Sequence, residues 1–480
     1  MTTQTFPSVR AAARPPVSRQ AAPARGLAAP FGTGILVLVA TACAPVPDDD
    51  QGPPGAVAVT NATVIDGMGG APIADGVVIA EGDRIVAVGP AAEVTVPDGA
   101  TIVDAAGGAV MPGLADMHVH MVGGWDGVST EMLGYRRYLN ALLHAGVTTV
   151  FDAGNVLPFI QQIQAEIEAG RLPGPRVYMA GPLVDGPVPI WPPITYFTFE
   201  ASAMWRHASQ LSAAGVDALK GYAGLDAEMV DSLVQAGAEF GLPVIVDLGS
   251  RGDYAAAVEA GVLARAHAPS GPLSDDEIAA MVEHGTATIT TLAVLESFAR
   301  RRLNDLEFLD HPLIAATTPP WFLEALREHA TRTLSDAEVG FVASIEERLM
   351  TAMTNVKRLS DAGVPLVAGT DAPYPGVFQG EGIHRELELL VEAGLTPLQA
   401  ITVATHNAAR LMDASDEWGA IAPGMAADML VVRGNPAENI GATRDILAVI
   451  QRGVVLDRSQ LVFSALDDLG FRTVGSVAAN

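Results

Sequence analysis

Between Pro112 and about residue 411, short apolar runs alternate with segments of helical period. Runs of this kind are typical of buried strands, and the segments 228–240 and 253–260 have the spacing of amphipathic helices. The predicted strands are 146–152, 176–180, 216–220, 243–247, 262–267, 287–291 and 364–371. Together with a strand that ends in His118-Val119-His120, they make eight. The pattern predicts a parallel α/β fold with the strand count of a TIM (β/α)8 barrel.

The segments on either side of this region have a different pattern. Residues 58–65, 76–80 and 84–88 are short β-rich runs broken by Gly, Pro and Asp, which indicates a small antiparallel sheet. The β-rich character returns at 427–432 and 446–450. We expect the two flanks, residues 56–111 and 415–463, to form one composite β-sandwich domain beside a barrel of residues 112–414, with a tail at 464–480.

The first 42 residues differ in composition from the rest. Four arginines and no acidic residue precede the apolar run 34–40, and Thr41-Ala42-Cys43 follows. This order is typical of a secretory signal peptide. Cys43, the only cysteine, resembles the acylated residue of a bacterial lipobox; a plain secretory signal and a buried cysteine are the alternatives. We expect a tether at 43–55, export across the inner membrane, and a lipid-anchored location in the periplasm or cell envelope.

The charge balance narrows the range of partners. The chain carries 28 basic and 55 acidic residues, and the leader contains four of the arginines, so the mature chain is even more acidic than the whole. Such a field repels phosphate backbones and anionic lipid surfaces. We therefore expect a small-molecule substrate, no nucleic acid, and membrane contact only through Cys43. The oligomeric state stays open, a homo-oligomer included.

His118 and His120 are the first candidates for chemistry. Residues i and i+2 of a strand point to the same face, so both imidazoles would project together from one strand end. Two neutral imidazoles that converge on one point suit a divalent metal such as zinc. Taken alone, the pair could also arise by chance.

Other predicted strands end in residues that bind metals or move protons. These residues are Lys220, Asp247, His267 and Asp371. In parallel barrels the catalytic groups lie at the carboxyl ends of the strands. Each has a structural alternative, because a strand-end Asp can cap the next helix and a lone His can be a core residue. Their joint placement favours a site.

Lys220 is the most informative single residue. The chain has only two lysines against 26 arginines, so a lysine at the end of an apolar strand suggests chemistry that guanidinium cannot perform. A lysine amine can lose a proton and then act as a nucleophile or form a carbamate. Asp371, in Ala368-Gly-Thr-Asp-Ala-Pro373, is a candidate general base for a hydrolytic water.

These residues, in this order, resemble the metal-dependent amidohydrolase superfamily, most closely its imidazolonepropionase-like and prolidase-like branch. The segments Thr405-His-Asn-Ala-Ala-Arg410 and Pro423-Gly-Met-Ala-Ala-Asp428 add to the resemblance, which covers residues 57–457. It implies a distorted barrel with a composite sheet domain. It also implies that His118, His120 and Asp371 bind one metal, that a carboxylated Lys220 bridges to a second, and that His267 binds the second.

The sequence departs from the family pattern at the fifth strand, where Asp247 stands in the place of a histidine. A carboxylate is still a ligand for zinc or manganese, but it makes the second site more electronegative. We therefore take zinc as the expected metal, with manganese as the alternative. Our hypothesis is that the first site persists and the second is weaker or absent.

The resemblance implies hydrolysis of an amide-type C–N bond by metal-activated water, with Asp371 as base. A dipeptide, an N-acyl amino acid or a cyclic amide is the expected substrate. The loop 185–199 could form a wall of the pocket or cover the sheet domain. Tyr222 could bind the substrate or only pack against its neighbours. The segment 298–348 is a candidate helical lid. The alternative is a catalytically impaired relative with a binding role at the envelope; Asp247 favours it, whereas Lys220, Asp371 and the histidine pair favour the enzyme.

Overall fold

The computed structural model describes residues 55–124, 129–249 and 252–465. The predicted signal peptide, Cys43, the tether up to residue 54 and the tail from residue 466 lie outside these ranges. Among the helices of the described residues, none has both the length and the apolar character needed to cross a bilayer.

The element order is a group of strands, then alternating strands and helices, then strands again. The strands are β1 Val57–Val64, β2 Ile73–Glu81, β3 Arg84–Pro90, β4 Thr101–Asp104, β5 Ala109–Pro112, β6 Leu114–Val119, β7 Val147–Asp152, β8 Arg176–Met179, β9 Leu183–Asp185, β10 Thr195–Phe197, β11 Leu219–Gly221, β12 Val244–Val246, β13 Ala264–Ala266, β14 Ala287–Ile289, β15 Leu366–Val367, β16 Met429–Val432, β17 Ile446–Gln451 and β18 Val454–Val455. The helices are α1 Tyr135–His144, α2 Leu157–Glu168, α3 Met204–Ala213, α4 Ala227–Phe240, α5 Tyr254–Ala260, α6 Asp275–His284, α7 Leu292–Phe298, α8 Pro312–Ala315, α9 Pro320–Thr331, α10 Asp336–Ala362, α11 Glu381–Glu392, α12 Pro397–Val403 and α13 His406–Leu411.

The central strands form two parallel sheets, which confirms the predicted α/β class. One has the order β6-β7-β8, and the other has the order β10-β9-β11-β12-β13-β14-β15. Backbone hydrogen bonds connect their edges: for example, Asp217 N donates to Met179 O at 2.9 Å, and Met117 N donates to Ala368 O at 3.0 Å. Because the strands belong to two sheets, closure into one barrel stays a prediction.

One hydrophobic cluster connects the strands of both sheets. Its members come from all eight predicted strands or from the positions beside them, as in the interior of a barrel. They include Ala115, Met117, Phe151, Ala180, Ala218, Ile245, Ala264, Ile289 and Val367. Several of them are alanines, whose small side chains allow close packing beside the few large ones.

Two details differ from the strand predictions. β9 and β10 lie at or inside the segment 185–199, whose Pro and Gly residues indicated a loop, and they extend the second sheet at its edge. The last strand is shorter than predicted. It ends at Val367, and Asp371 adopts a left-handed backbone (φ 63°), so the chain has left the ladder before it reaches this carboxylate.

The two flanks of the chain share one further sheet, with the order β18-β17-β16-β5-β1-β2-β3. β5 pairs with β16 in antiparallel register, from Met429 opposite Pro112 to Val432 opposite Ala109. β4 and β5 both pair with β1 in parallel, so the sheet is mixed, and the expectation of an antiparallel sheet was wrong on this point. Local alternation cannot reveal strand direction. The predicted domain boundaries stay predictions.

The connection from β5 of this flanking sheet to β6 is a single residue, Gly113. A Cβ at this position would lie 2.2 Å from Thr148 Oγ1, so only glycine allows β6 to approach β7 so soon after β5 ends. The strand that carries the histidine pair is therefore a direct continuation of the flanking sheet.

The N-terminus of α7 is capped from a distant helix. The backbone N–H groups of Leu292 and Ala293 donate to the two carboxylate oxygens of Glu386, at 2.9 and 2.7 Å. Thr290 Oγ1 donates to the same carboxylate. Because the first N–H groups of a helix have no partner within the helix, a buried carboxylate from α11 satisfies them and fixes α7 at the carboxyl end of β14.

We predict that Glu386→Gln lowers the free energy of unfolding by about 2 kcal/mol, because an amide group turns one donor toward these N–H groups. Urea unfolding of the purified protein measures this value. Glu347→Gln, an exposed position on α10, is the matched control and should change stability by less than about 0.5 kcal/mol. Equal effects of the two substitutions would contradict the capping role.

Candidate active site

All the strand-end residues predicted from the sequence line one cavity of about 900 Å³. They are His118, His120, Lys220, Asp247, His267 and Asp371. Although they lie on five different strands or just beyond them, the parallel arrangement brings all five carboxyl ends to the same edge. None of the six is placed elsewhere.

Asp371 lies between the two paired histidines. Its Oδ1 is 3.4 Å from His118 Nε2 and 3.2 Å from His120 Nε2. Two backbone hydrogen bonds hold the strand ends together: Asp371 N donates to His118 O at 2.7 Å, and His120 N donates to Ala372 O at 2.9 Å. The carboxylate and both imidazoles therefore share one short stretch of the cavity wall.

The spacing of these atoms fits a common metal ion. Two ligand atoms about 2.1 Å from a zinc ion at the tetrahedral angle are about 3.4 Å apart. Donor atoms of His118, His267 and Asp371 also lie within 4.8 Å of one another, so His267 belongs to the same group. A set of imidazoles and a carboxylate suits zinc or another divalent transition metal.

The pKa values of the two paired histidines shift in opposite directions, and the lowered value of His118 favours the neutral imidazole that a metal ligand requires. Burial lowers the pKa of His118 well below its ordinary value, and Lys220 and the neighbouring imidazoles act in the same direction. For His120, burial also lowers the pKa, but the contact with Asp371 outweighs it and the net shift is upward. His120 Nδ1 donates to Gly154 O at 3.1 Å, which leaves Nε2 as the atom directed toward Asp371.

Asp247 points into this group of residues. Its Oδ2 is 3.1 Å from His267 Nε2, and the other ring nitrogen of His267 makes a hydrogen bond of 2.6 Å with Thr291 Oγ1. Burial raises the pKa of Asp247, but His267 and Lys220 outweigh it and the net shift is downward. The residue that departs from the family pattern thus stands where a second ligand would, as an anion.

Lys220 places an amine without a partner beside these carboxylates. Its side chain is 1 % exposed, and Nζ makes no hydrogen bond with any described residue. Burial lowers its pKa, although Asp247 and Asp371 act in the opposite direction. A buried amine without a partner is costly. Carboxylation would convert it to an anionic metal ligand, so this position fits the bridging carbamate that the resemblance implies.

Two supporting residues were not predicted from the sequence. The carboxylate of Asp116, fully buried in β6, accepts hydrogen bonds from His118 N, Thr370 N and Thr370 Oγ1 at 3.3, 3.0 and 2.6 Å. Gln379 Nε2 donates to Ala372 O at 3.0 Å and to His120 O at 3.4 Å. An acidic residue inside an apolar strand was a signal for Asp116, whereas nothing local distinguishes Gln379.

The cavity walls come from segments that the sequence analysis left open. Trp191, in the loop 185–199, packs edge-on against His120 with ring centroids 5.3 Å apart, which favours the pocket-wall alternative. Tyr222 lines the cavity and also packs against apolar neighbours, so both of its alternatives stand. On the opposite side lie Phe341 and Ile345 of α10, within the predicted helical insertion. Whether this insertion moves as a lid stays a prediction.

Comparisons with known proteins give a family match and several related proteins. A model of the amidohydrolase family matches residues 109–457. Adenine deaminase 3 of Rhizobium meliloti (strain 1021) is 25% identical over 363 residues, which are 73% of this chain and 50% of that protein. The chain thus spans about half the length of this curated relative.

Solved structures show the same fold at low sequence identity. A putative prolidase from Bifidobacterium longum superposes with a TM-score of 0.69 and 23% identity, over 87% of this chain and 98% of the other. A Xaa-Pro dipeptidase with bound methionine gives a TM-score of 0.69 and 20% identity, over 84% of this chain and 100% of the other.

We predict that His120→Ala lowers the affinity for zinc by more than roughly tenfold, since it removes one donor from the group around Asp371. Competition with a chromophoric chelator measures the affinity. His284→Ala is the matched control, because this histidine lies at the end of α6, outside the cavity. Unchanged zinc binding in His120→Ala would exclude the imidazole as a ligand.

Proposed function

The chain belongs to the amidohydrolase family and is a hydrolase acting on C–N bonds, and on this premise we propose that it cleaves an amide-type bond of a small molecule with a bound divalent metal. One observation carries the proposal: imidazoles, carboxylates and an unpartnered lysine from distant strands meet in a single cavity. The bond would belong to a dipeptide, an N-acyl amino acid or a cyclic amide.

His118, His120 and Asp371 would hold one ion, with zinc preferred over manganese. A carboxylated Lys220, Asp247 and His267 would hold a second ion, more weakly. The metal supplies electrostatic activation, because it lowers the pKa of water and polarises a carbonyl group. The inward position of Asp247 favours the enzyme over the catalytically impaired alternative, since a side chain directed away would have left the second site without this ligand.

Asp371 would move the proton. Its Oδ1 faces the two histidines, and the residue lines the cavity that would receive the substrate. The carboxylate takes a proton from the attacking water as the C–O bond forms. It then gives this proton to the nitrogen as the C–N bond breaks, so that an amine or ammonia leaves neutral.

Substrate class can be tested directly. The structural neighbours are named as a prolidase and a Xaa-Pro dipeptidase, and the sequence relative as an adenine deaminase. A panel of Xaa-Pro dipeptides, N-acyl amino acids, lactams and adenine, with zinc or manganese added, would identify the preferred bond. Lack of turnover throughout, in protein that has bound metal, would favour the impaired alternative.

We predict that Asp371→Asn lowers kcat by at least roughly a hundredfold, because an amide cannot accept the proton. Metal analysis of the same preparation should show that an ion is still bound through the histidines. Asp253→Asn, a substitution at the N-cap of α5, serves as the comparison for a carboxylate that lines the cavity without facing the histidines. Unimpaired turnover in Asp371→Asn would contradict the assignment.

We predict that Lys220 carries a carboxylate in the metal-loaded protein. With ¹³C-bicarbonate, a carbamate carbonyl signal should appear in the NMR spectrum and should be lost in Lys220→Met. The chain offers one matched control: Lys357, the only other lysine, forms an ion pair with Asp361 on the exposed face of α10. Lys357→Met should keep the signal. A signal that persists in Lys220→Met would contradict carboxylation at this site.

The lipid anchor at Cys43 and the location in the cell envelope stay predictions from the sequence.

A further inference from the structure

Arg265 is a buried cation on the wall of the cavity. It lies in β13, two residues before His267, and it is only 8 % exposed. Nε donates to His267 O at 3.3 Å, and the guanidinium carbon lies 3.9 Å from the centroid of the Tyr254 ring. Tyr254 is itself fixed, because its hydroxyl accepts a hydrogen bond from Leu248 N at 3.0 Å. The guanidinium is therefore held in one orientation.

Other well-buried arginines of this protein have carboxylate partners. Arg302 contacts Glu381 at 2.6 Å, Arg385 contacts Glu296 at 2.7 Å, and Arg137 contacts Glu131 at 2.8 Å. These pairs follow the rule that a charge removed from water needs a partner.

Arg265 is the exception. Within the described ranges it has no ion pair, and its two terminal nitrogens make no hydrogen bond. The neighbouring carboxylates are already engaged: Glu277 accepts from Ser274 N and Oγ, and Asp247 contacts His267. A fixed and unsatisfied fork of N–H donors, on the wall of a cavity that also holds the candidate metal ligands, is a site for an anion from outside the chain.

We propose that Arg265 binds a carboxylate of the substrate and thereby determines specificity. This inference rests on the proposed function, because it places an anionic substrate in that same cavity. The planar fork of guanidinium matches the two oxygens of a carboxylate. A doubly charged phosphate is less suitable, because Asp247 and Asp371 line the same cavity and repel each added negative charge. Phe298, Phe341 and Ile345 give the cavity an apolar wall for the rest of the molecule.

Binding of two matched probes tests the inference. 3-Phenylpropanoate and 3-phenylpropan-1-ol have the same ring and chain but differ in charge, and neither contains a C–N bond, so the holoenzyme binds them without turnover. Calorimetry should show that the wild-type protein prefers the acid. In Arg265→Met the affinity for the acid should fall by roughly 10- to 100-fold, and that for the alcohol by less than about twofold. Arg265→Lys should retain part of the preference, because it keeps the charge and loses only the fork.

The comparison variant is Arg348→Met, since Arg348 lines the same cavity but already donates to Ser270 Oγ at 2.9 Å. An acid preference that is lost in Arg348→Met and kept in Arg265→Met would overturn the proposal. So would an equal loss for both probes in Arg265→Met. A preference that survives in Arg265→Met and disappears on chelation would assign the acid to the metal instead. If the wild-type protein binds the acid through Arg265 but hydrolyses nothing in the substrate panel, the proposed function fails and the anion site stands.

Discussion

The junction between β6 and the end of β15 is the constraint on which the site depends. His118 and Asp371 are far apart in the chain, yet a backbone hydrogen bond of 2.7 Å joins them directly. Asp116 reinforces the junction with bonds to Thr370, and Gln379 spans the carbonyls of His120 and Ala372. Since backbone hydrogen bonds join the two strand ends and buried side chains brace them, the backbone positions that carry the imidazoles and the carboxylate hold their spacing.

Around this junction the protein keeps charges that it does not neutralise internally. Within the part of the chain that the structure describes, Lys220 and Arg265 lie buried without a carboxylate in hydrogen-bond contact, whereas Arg302, Arg385 and Arg137 are each paired. Unpaired buried charges lower stability, and such groups gather where a ligand completes them. The paired arginines and glutamates hold the helices together, whereas the two unpaired cations, Lys220 and Arg265, face the cavity.

The sequence predicts those parts of the fold and site that have a local pattern. Short apolar runs located β7, β8 and β12 well, and the rule that parallel strands present their carboxyl ends together brought Lys220, His267 and Asp371 to the same edge. What was missed depends on long-range pairing. The parallel pairing of β1 with β5 and the bonds of Asp116 to Thr370, 254 positions away, have no local signal. Arg265 was passed over because a strand arginine looks the same whether or not a carboxylate faces it.

The connection through Gly113 also has a consequence for the order of folding. β5 pairs with β16, and β6 continues from β5 after a single residue. β5, at the base of the strand with the histidine pair, has one neighbour, β1, that precedes it in the chain, but its other neighbour, β16, comes only after the whole alternating region. Pairing between positions so distant in the sequence closes slowly, so we expect the support on this side of β6 to form late in folding, after the strands that carry the other candidate ligands are in place.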